Sequence, residues 1–510
     1  MNGEVEQRLW SAADQLWANT GLRPSQFSVP VLGLIFLRYA EKTYAEAEEK
    51  IGPVGSGGRR KVSKNDYIAE GVIFMPDTAR FSYLQDLPEE ENLGKALNDA
   101  MKAIEDENTD LRGALPRTYT EIEDRVLIEL LRVLAPIDLS GDAFGKVYEY
   151  FLGKFAMKEG QKGGVFYTPE SIVKLIVEII EPYHGRIYDP ACGSGGMFVH
   201  SADFVERHKK DPTKEISIYG LEKDATTVNL NKMNLAVHGL SGDVRVANSY
   251  YEDPFEQAGR FDFVMANPPF NVSGVDKDRL EGDPRFPFGM PRADNANYIW
   301  IQMFYSALNR RGRAGFVMAD SAADSRGSDQ LTRQRLVEDG CVKAIISIGT
   351  KFFYTVGQSC MLWFLNKNFD ESLEGETSVL FVDARRIHRQ IDRAHRDFLP
   401  EHIALLSNIF RLSEKRDVKG GEAGVAATRR VFPDLTYADT PGLCYRASSA
   451  EIEAAGWSLN PVHYVGAFDS DSSSSEDLRD HFLSVQGELE LLNDQAELLE
   501  AKVREQGQSF

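Results

Sequence analysis

The stretch Arg186-Ile187-Tyr188-Asp189-Pro190-Ala191-Cys192-Gly193-Ser194-Gly195-Gly196 decides the fold class of this chain. It predicts a short strand, an acidic residue, a tight glycine turn and the start of a helix, in that order. Glycines let the backbone approach a ligand closely, and the first turn of a helix offers free N–H groups. This order is typical of a nucleotide-type site in a Rossmann-like α/β domain.

The next predicted strand, residues 216–221, ends in Glu222. An acid at that position can accept both hydroxyls of a ribose. The glycine spacing is not the G-x-G-x-x-G pattern of dinucleotide sites, and no Gly-Lys-Ser/Thr loop follows it. The sequence therefore predicts a ligand with a ribose and does not imply a bound phosphate.

A further predicted strand, residues 261–266, stops at Asn267-Pro268-Pro269-Phe270. The two prolines have a fixed φ and no backbone N–H, so the Asn267 amide and the nearby carbonyls form a rigid row of acceptors. Such a row can take both hydrogens of an exocyclic amine while the Phe270 ring stacks on the group that carries it. For this motif alone, a Pro-Pro turn with a helix-capping Asn is the alternative. The order glycine turn, Glu222, Asn-Pro-Pro-Phe favours a binding site.

Residues 156–415 alternate short apolar strands with helices, which predicts a parallel sheet covered on both faces. After Glu222 the strand candidates are residues 244–247, 261–266, 313–319, 342–348, 361–365 and 379–382. The long run rich in Gly, Pro and Asp between Phe270 and Tyr298 is predicted to form part of a target pocket, because long loops after a catalytic turn are often functional.

The rest of the chain divides into three further parts. Residues 1–155 predict an all-α domain, because apolar residues recur at helical spacing within residues 9–17, 31–39 and 121–134. Residues 416–470 are predicted to be an extension and linker. Residues 471–510 are predicted to form a coiled-coil helix for subunit assembly.

The coiled-coil prediction rests on an unbroken heptad seam. A narrow apolar stripe on an acidic helix is not stable alone and needs another helix to cover it. A partner subunit is favoured, and packing against the chain's own core is the alternative. The seam consists of Leu478, Phe482, Val485, Leu489, Leu492, Ala496, Leu499 and Val503.

Composition and charge limit the class of protein. The chain has 510 residues, 42% of them hydrophobic, and a formal net charge of −20. Affinity for nucleic acid comes mainly from neutralising phosphates, so either the substrate of this acidic chain is not DNA, or other subunits supply much of the positive surface. Four cysteines without metal-ligand spacing, no secretory signal and no apolar run able to span a bilayer predict a cytoplasmic protein with free thiols and no metal site.

One segment contrasts with this acidity. Residues 385–396 contain several basic side chains and are a candidate DNA-backbone patch, with a solvated surface as an equally open alternative. These side chains are Arg385, Arg386, His388, Arg389, Arg393, His395 and Arg396.

Taken in order, these motifs resemble those of S-adenosylmethionine-dependent DNA adenine-N6 methyltransferases. The resemblance is strongest to the methylation subunits of Type I restriction–modification systems, and it covers nearly the whole chain. It is carried further by Phe144-Gly145-Lys146-Val147-Tyr148-Glu149-Tyr150-Phe151-Leu152, by Gly163-Gly164-Val165-Phe166-Tyr167-Thr168-Pro169, and by Trp457-Ser458-Leu459-Asn460-Pro461 with Tyr464-Val465.

The resemblance implies S-adenosylmethionine as cofactor and a set of site residues. Glu222 would take the cofactor's ribose and Asn248 would face its adenine. The residues implied in catalysis are Asn267, Pro268, Pro269 and Phe270. Those implied in cofactor binding are Val165, Phe166, Tyr167, Thr168, Pro169, Glu170, Asp189, Ala191, Gly193, Ser194, Gly195, Glu222, Asn248 and Asn267.

The resemblance also implies partners: duplex DNA with the target adenine flipped out, a DNA-specificity subunit, a second copy of this chain and a restriction subunit, with no membrane. Two positions depart from the family pattern. Asn248 stands where relatives often have Asp, and residues 319–324 stand where relatives commonly have a Leu-Pro-containing loop. A stand-alone protein-glutamine or RNA methyltransferase and a catalytically silent scaffold are the competing hypotheses.

Overall fold

The structure is a computed structural model, and it describes residues 4–18, 20–51, 63–88, 90–136, 143–159, 168–292, 294–353, 359–367, 377–393 and 395–466. The predicted coiled-coil seam and the site residues Val165, Phe166 and Tyr167 lie outside these ranges. No helix within them is both long and apolar enough to cross a membrane.

The N-terminal part is all-α, as the sequence predicts. Its helices share one apolar core that includes Phe27, Leu37, Leu127 and Phe151. The helices are α1 (Glu4–Ala18), α2 (Pro24–Ile51), α3 (Lys64–Ala69), α4 (Phe81–Gln85), α5 (Leu93–Glu107), α6 (Asp124–Leu134) and α7 (Ala143–Glu159).

A nine-stranded sheet follows, flanked by helices on both faces. The helices are α8 (Glu170–Ile180), α9 (Gly196–Arg207), α10 (Pro212–Glu215), α11 (Ala225–Val237), α12 (Asn297–Ala307), α13 (Ser321–Asp324), α14 (Ser328–Glu338), α15 (Pro400–Ser413), α16 (Gly421–Val431) and α17 (Ser449–Ala454). The strands of the sheet are β1 (Gly185–Asp189), β2 (Ile216–Glu222), β3 (Gly242–Val246), β4 (Phe261–Ala266), β5 (Leu308–Ala319), β6 (Val342–Ile348), β7 (Cys360–Asn366), β8 (Ser378–Asp383) and β11 (Cys444–Ser448). The short strands β9 (Arg389–Gln390) and β10 (Arg396–Asp397) form a separate hairpin.

The sheet order is β11-β8-β6-β7-β5-β4-β1-β2-β3. The strands from β3 to β5 are parallel, as predicted, and so is the pair β6 and β8. The sheet is not parallel throughout, because β7 and β11, a strand that the sequence did not predict, run antiparallel to their neighbours. A parallel return from β6 to β7 needs a crossover of a dozen or more residues, usually a helix, and the connection between Ile348 and Cys360 is shorter than that.

The predicted extension, residues 416–470, contributes to the sheet domain wherever it is described. α16 packs on α15, and β11 pairs with β8 at the sheet edge. Leu459 and Val465 are buried in the core on one face of the sheet. The sheet domain therefore extends to about Val465.

Helix α11 belongs to both parts of the molecule. Leu230, Met233 and Val237 on one of its faces lie in the apolar core of the N-terminal helices. Val228 and Leu235 lie in the core under the sheet. The helical part and the sheet part are therefore joined by a continuous apolar interface.

Candidate functional site

The predicted site residues meet at the carboxyl edge of three neighbouring strands. In the sheet, β1 lies between β4 and β2. Asp189 ends β1, Glu222 ends β2, and Asn267 follows the last residue of β4. Ligands of open α/β sheets bind at this edge, so the topology brings together side chains that are far apart in sequence.

The glycine turn between β1 and α9 adopts backbone angles that suit glycine. Gly193 has φ 49° and Gly195 has φ 89°. A Cβ on Gly195 would also lie 3.0 Å from Oδ1 of Asn231. The turn is held from α11, where Asn231 donates to the Gly193 carbonyl and Asn234 donates to the Ser194 carbonyl, both at 2.9 Å.

Asp189 is almost fully buried, with 2% of its surface exposed. Its Oδ1 accepts a hydrogen bond from the Ala191 N–H at 2.9 Å. Burial raises the pKa of Asp189 well above its usual range, the bond from Ala191 lowers it, and the negative charge of Glu222 adds to the rise. A buried carboxylate of this kind is stabilised by a nearby positive charge.

Glu222 is held by three backbone N–H groups. Its Oε1 accepts from Lys223 at 2.7 Å and from Asp224 at 3.1 Å, and its Oε2 accepts from Gly193 at 3.2 Å. A carboxylate offers about four lone-pair positions, so these bonds fix its orientation and leave capacity for a further donor. The carboxylate therefore links the end of β2 to the glycine turn.

Asn267 presents an acceptor at the end of β4. Its Nδ2 donates to Oγ1 of Thr168 at 3.0 Å, which fixes the rotation of the amide. Its Oδ1 is buried, and no donor from the described part of the chain reaches it. A buried acceptor without a partner costs about 1–3 kcal/mol, so this oxygen is free to accept from a donor outside the described residues.

Burial and hydrogen bonds hold the residues after Asn267 in place. Pro268 is buried, and Phe270 is half-buried against the core under the sheet. Asn271 has φ 54°, a conformation that Asn tolerates better than most residues. Its N–H donates to Oδ1 of Asn297 at 2.9 Å, and its own Oδ1 accepts from Asn297 at 2.8 Å and from Ser321 at 3.2 Å.

Asn248 follows β3 at the same edge of the sheet. Its Oδ1 accepts from the Tyr250 N–H at 3.2 Å, and its N–H donates to Glu252 at 2.7 Å. The guanidinium of Arg285 donates to the carbonyls of Ser249, Tyr250 and Glu252. Arg285 therefore ties the long run between Phe270 and Tyr298 to the segment that carries Asn248.

The remaining predicted residues differ in their surroundings. Ala191 and Ser194 lie within the glycine turn through the bonds already described. Pro169 precedes α8, and its carbonyl accepts from Ile172 at 2.9 Å. Glu170 contacts Lys174 and lies in a separate cluster with Glu149 and His200.

Several residues of the site carry no signal in the sequence. Asn231 and Asn234 are three positions apart on α11, a spacing that is equally typical of a solvated helix face. Arg285 is buried although it lies in a polar run. Asp320, in the segment that departs from the family pattern, accepts a hydrogen bond from Ser359, and burial raises its pKa.

The basic segment at residues 385–396 forms the β9–β10 hairpin and its approach. Arg385 is paired with Asp383 at 2.6 Å, and Arg389 with Asp397 at 2.5 Å. Neighbouring carboxylates therefore balance part of its charge, and both interpretations of this segment stay open.

Comparison with known proteins identifies the family. A family model described as N-6 DNA Methylase matches residues 139–473, and one described as HsdM N-terminal domain matches residues 5–134. The Type I restriction enzyme MjaIX methylase subunit of Methanocaldococcus jannaschii is 33% identical over 98% of this chain and 90% of its own length. The HindI methylase subunit of Haemophilus influenzae is 34% identical over 77% of this chain and 90% of its own length.

Solved structures share the fold. The Type I restriction–modification methyltransferase subunit of Streptococcus thermophilus superposes with a TM-score of 0.74 at 21% identity, covering 92% of this chain and all of that one. A chain from a structural study of complex assembly and conformational transition of the Type I system gives a TM-score of 0.58 at 17% identity, covering 98% of this chain and 99% of that one. With both family models and near-complete relatives in agreement, this chain belongs to the N-6 DNA methylases that are the methylase subunits of Type I restriction enzymes.

Proposed function

We propose that this chain transfers a methyl group from S-adenosylmethionine to N6 of an adenine flipped out of duplex DNA. The observation that carries this proposal is the buried Oδ1 of Asn267, which no donor of the described residues reaches and which lies at the same sheet edge as Asp189 and Glu222. Two fixed acceptors suit an exocyclic amine, which has two hydrogens to donate. The membership of the chain in the N-6 DNA methylases supports this choice over a protein-glutamine or RNA substrate and over a silent scaffold.

The residues at the turn fit S-adenosylmethionine. This cofactor supplies a methyl group on a positively charged sulfur. Positive charge near Asp189 would offset the cost of ionising a buried carboxyl, whose raised pKa records that cost. The positive φ values of Gly193 and Gly195 give a tight turn that suits glycine, and Glu222, which accepts from the Gly193 N–H of this turn, has capacity left for a hydroxyl donor.

Asn267 and Pro268 would act on the target amine rather than on the cofactor. The N6 lone pair is delocalised into the adenine ring, and acceptors that hold its two hydrogens favour a tetrahedral, nucleophilic nitrogen. Bound S-adenosylmethionine would supply its sulfonium methyl group to N6, and the amine, held by the Asn267 and Pro268 acceptors, would lose one proton to water. Positioning and charge stabilisation carry such a reaction without a base of shifted pKa. Phe270 would stack on the flipped base.

The product identifies the reaction. The purified chain, with its specificity subunit, should be incubated with duplex DNA and methyl-labelled cofactor, and the DNA digested to nucleosides for mass spectrometry. We expect N6-methyl-2′-deoxyadenosine as the labelled nucleoside. Label in a methylated cytosine, or in protein or RNA in place of DNA, would refute the assignment.

We also propose that this chain works within a larger assembly. Its net charge of −20 is unfavourable for binding DNA phosphates alone. A structural relative comes from a study of complex assembly in the Type I system. The partners that we propose are a specificity subunit, a second copy of this chain and a restriction subunit.

The C-terminal heptad seam is the proposed contact with the specificity subunit. Deletion of residues 472–510 should leave the remaining chain folded and able to bind cofactor, because Leu459 and Val465, which pack into the core, are retained. Co-purification with the specificity subunit and site-specific methylation should be lost. If the shortened chain binds the specificity subunit with the affinity of the full chain, the seam packs against the core of its own chain and is not the contact with that subunit.

Glu222→Ala should weaken cofactor binding by about 1–3 kcal/mol, because a charge-assisted contact to a ribose hydroxyl is lost. Isothermal titration calorimetry of the full chain measures the change directly. Glu215→Gln is the matched control, because this acid precedes the other end of β2 and pairs with Lys210 at 3.4 Å. Equal affinity in wild type and Glu222→Ala would exclude the ribose contact.

A further inference from the structure

A cluster of histidine and carboxylate side chains lies where the helical part meets the sheet part. It joins Glu149 of α7, Glu170 at the start of α8 and His200 of α9. One donor atom from each of these side chains lies within 4.8 Å of the other two. They line a cavity of about 250 Å³ that is separate from the glycine turn and from Asn267.

Two members of the cluster, His200 and Glu149, have nearly the spacing of ligands around a metal ion. Nε2 of His200 lies 3.5 Å from Oε1 of Glu149, which is longer than a good hydrogen bond. Zinc bonds to nitrogen and oxygen are about 2.0–2.2 Å in tetrahedral sites, which puts neighbouring ligand atoms roughly 3.3 Å apart. Glu170 is half-exposed at its side chain, so it can move the remaining distance.

The surroundings of His200 match those of a metal-binding histidine. The ring is buried, with its side chain only 5% exposed, and its second nitrogen, Nδ1, faces Oδ2 of Asp203 at 3.4 Å. Histidines that bind a metal usually donate their other N–H to a carboxylate, which fixes the ring and its tautomer. Asp203 is placed for this role.

Charge balance points to the same kind of ligand. With His200 neutral, Glu149, Glu170 and Asp203 carry three negative charges, and Lys174, paired with Glu170, supplies one positive charge. A divalent cation would bring this local sum to zero. A mixed set of imidazole and carboxylate donors suits zinc and its first-row neighbours better than calcium or magnesium.

We infer that Glu149, Glu170 and His200 bind a divalent transition-metal ion, with Asp203 orienting His200, and that the ion fastens α7 to α8 and α9. The competing explanation is a metal-free ion pair between a protonated His200 and its neighbouring carboxylates.

Zinc is the probe for the test. The full chain should be freed of metal with a chelator, titrated with ZnCl2 by calorimetry, and analysed by plasma mass spectrometry after dialysis. We expect about one zinc per chain and a rise in melting temperature on adding zinc. His200→Asn and Glu149→Gln should each weaken zinc binding at least tenfold, and Asp203→Asn about 10- to 100-fold.

Glu178→Gln is the matched control, because it lies on α8 and pairs with Arg207 outside the cluster. It should bind zinc like wild type. If His200→Asn does not fold, Glu149→Gln, which preserves side-chain shape, decides the question alone. Wild type that retains no zinc and melts at the same temperature with and without it, or cluster variants that bind zinc as wild type does, would overturn the inference in favour of the ion pair.

Discussion

Asn267→Ala should slow methyl transfer by at least about 100-fold, by analogy with the loss of one positioned group that stabilises developing charge. The variant removes the buried Oδ1 proposed to hold the target amine. Cofactor affinity should change little, because the glycine turn and Glu222 are fixed by other bonds. Single-turnover methylation measures the rate, and calorimetry measures the affinity.

Two further variants make this test specific. Asn309→Ala is the matched control: Asn309 donates to Asp262 at 2.7 Å near the opposite end of β4, so its loss should leave the rate unchanged. Thr168→Val removes the hydroxyl that fixes the Asn267 amide, and we expect a lower rate with nearly normal cofactor affinity. A wild-type rate in Asn267→Ala would refute the proposed role of the amide.

Asp189→Asn should weaken cofactor binding and stabilise the free protein at neutral pH. Loss of a charge-assisted contact costs about 1.5–3 kcal/mol, or roughly 10- to 150-fold in affinity. The same change removes a buried ionisable group whose pKa is raised by burial and by Glu222. The Oδ1 of Asn can still accept from Ala191, so the turn should keep its shape.

The direction of the Asp189 pKa shift determines how this residue affects the stability of the fold at different pH. Because the folded pKa of Asp189 lies above the unfolded one, the folded state holds the proton more tightly. The acid therefore reduces stability as pH rises above the unfolded pKa, and this loss is complete above the folded pKa. Asp189→Asn should melt at a higher temperature than wild type at pH 8, with a smaller difference at pH 5. A ligand-free variant that melts below wild type at pH 8 would contradict this reasoning, and Asp243→Asn on exposed β3 serves as control.

The sequence predicted the strand ends that carry the chemistry better than it predicted their support. Asp189, Glu222 and Asn267 could be found because each ends an apolar strand, and parallel strands bring such ends to one edge. Thr168 could not be assigned its bond to Asn267 from pattern alone, because the two residues are 99 positions apart and meet only in the folded sheet.

The sequence also did not predict the direction of the strands or which polar residues of different helices meet. The apolar pattern of β7 predicts a buried strand but does not encode which way it runs. β11 contains Arg446 and lies in a segment without strong apolar alternation, so its pairing with β8 followed only from the fold. Glu149 and His200 are single polar residues on different helices, and no spacing along the chain signals that they meet.

Helix α11 connects the glycine turn to the N-terminal helices. Its side chains Asn231 and Asn234 donate hydrogen bonds to the glycine turn. Its side chains Leu230, Met233 and Val237 pack in the core of the N-terminal helices. Because this one helix contacts both the glycine turn and the helical domain, a displacement of the helical domain would shift the turn. Thermodynamic linkage makes the effect reciprocal, and cofactor should in turn bias the helical domain. Hydrogen exchange would test this coupling, and we expect altered protection of the α2 and α7 amides when cofactor binds at the turn.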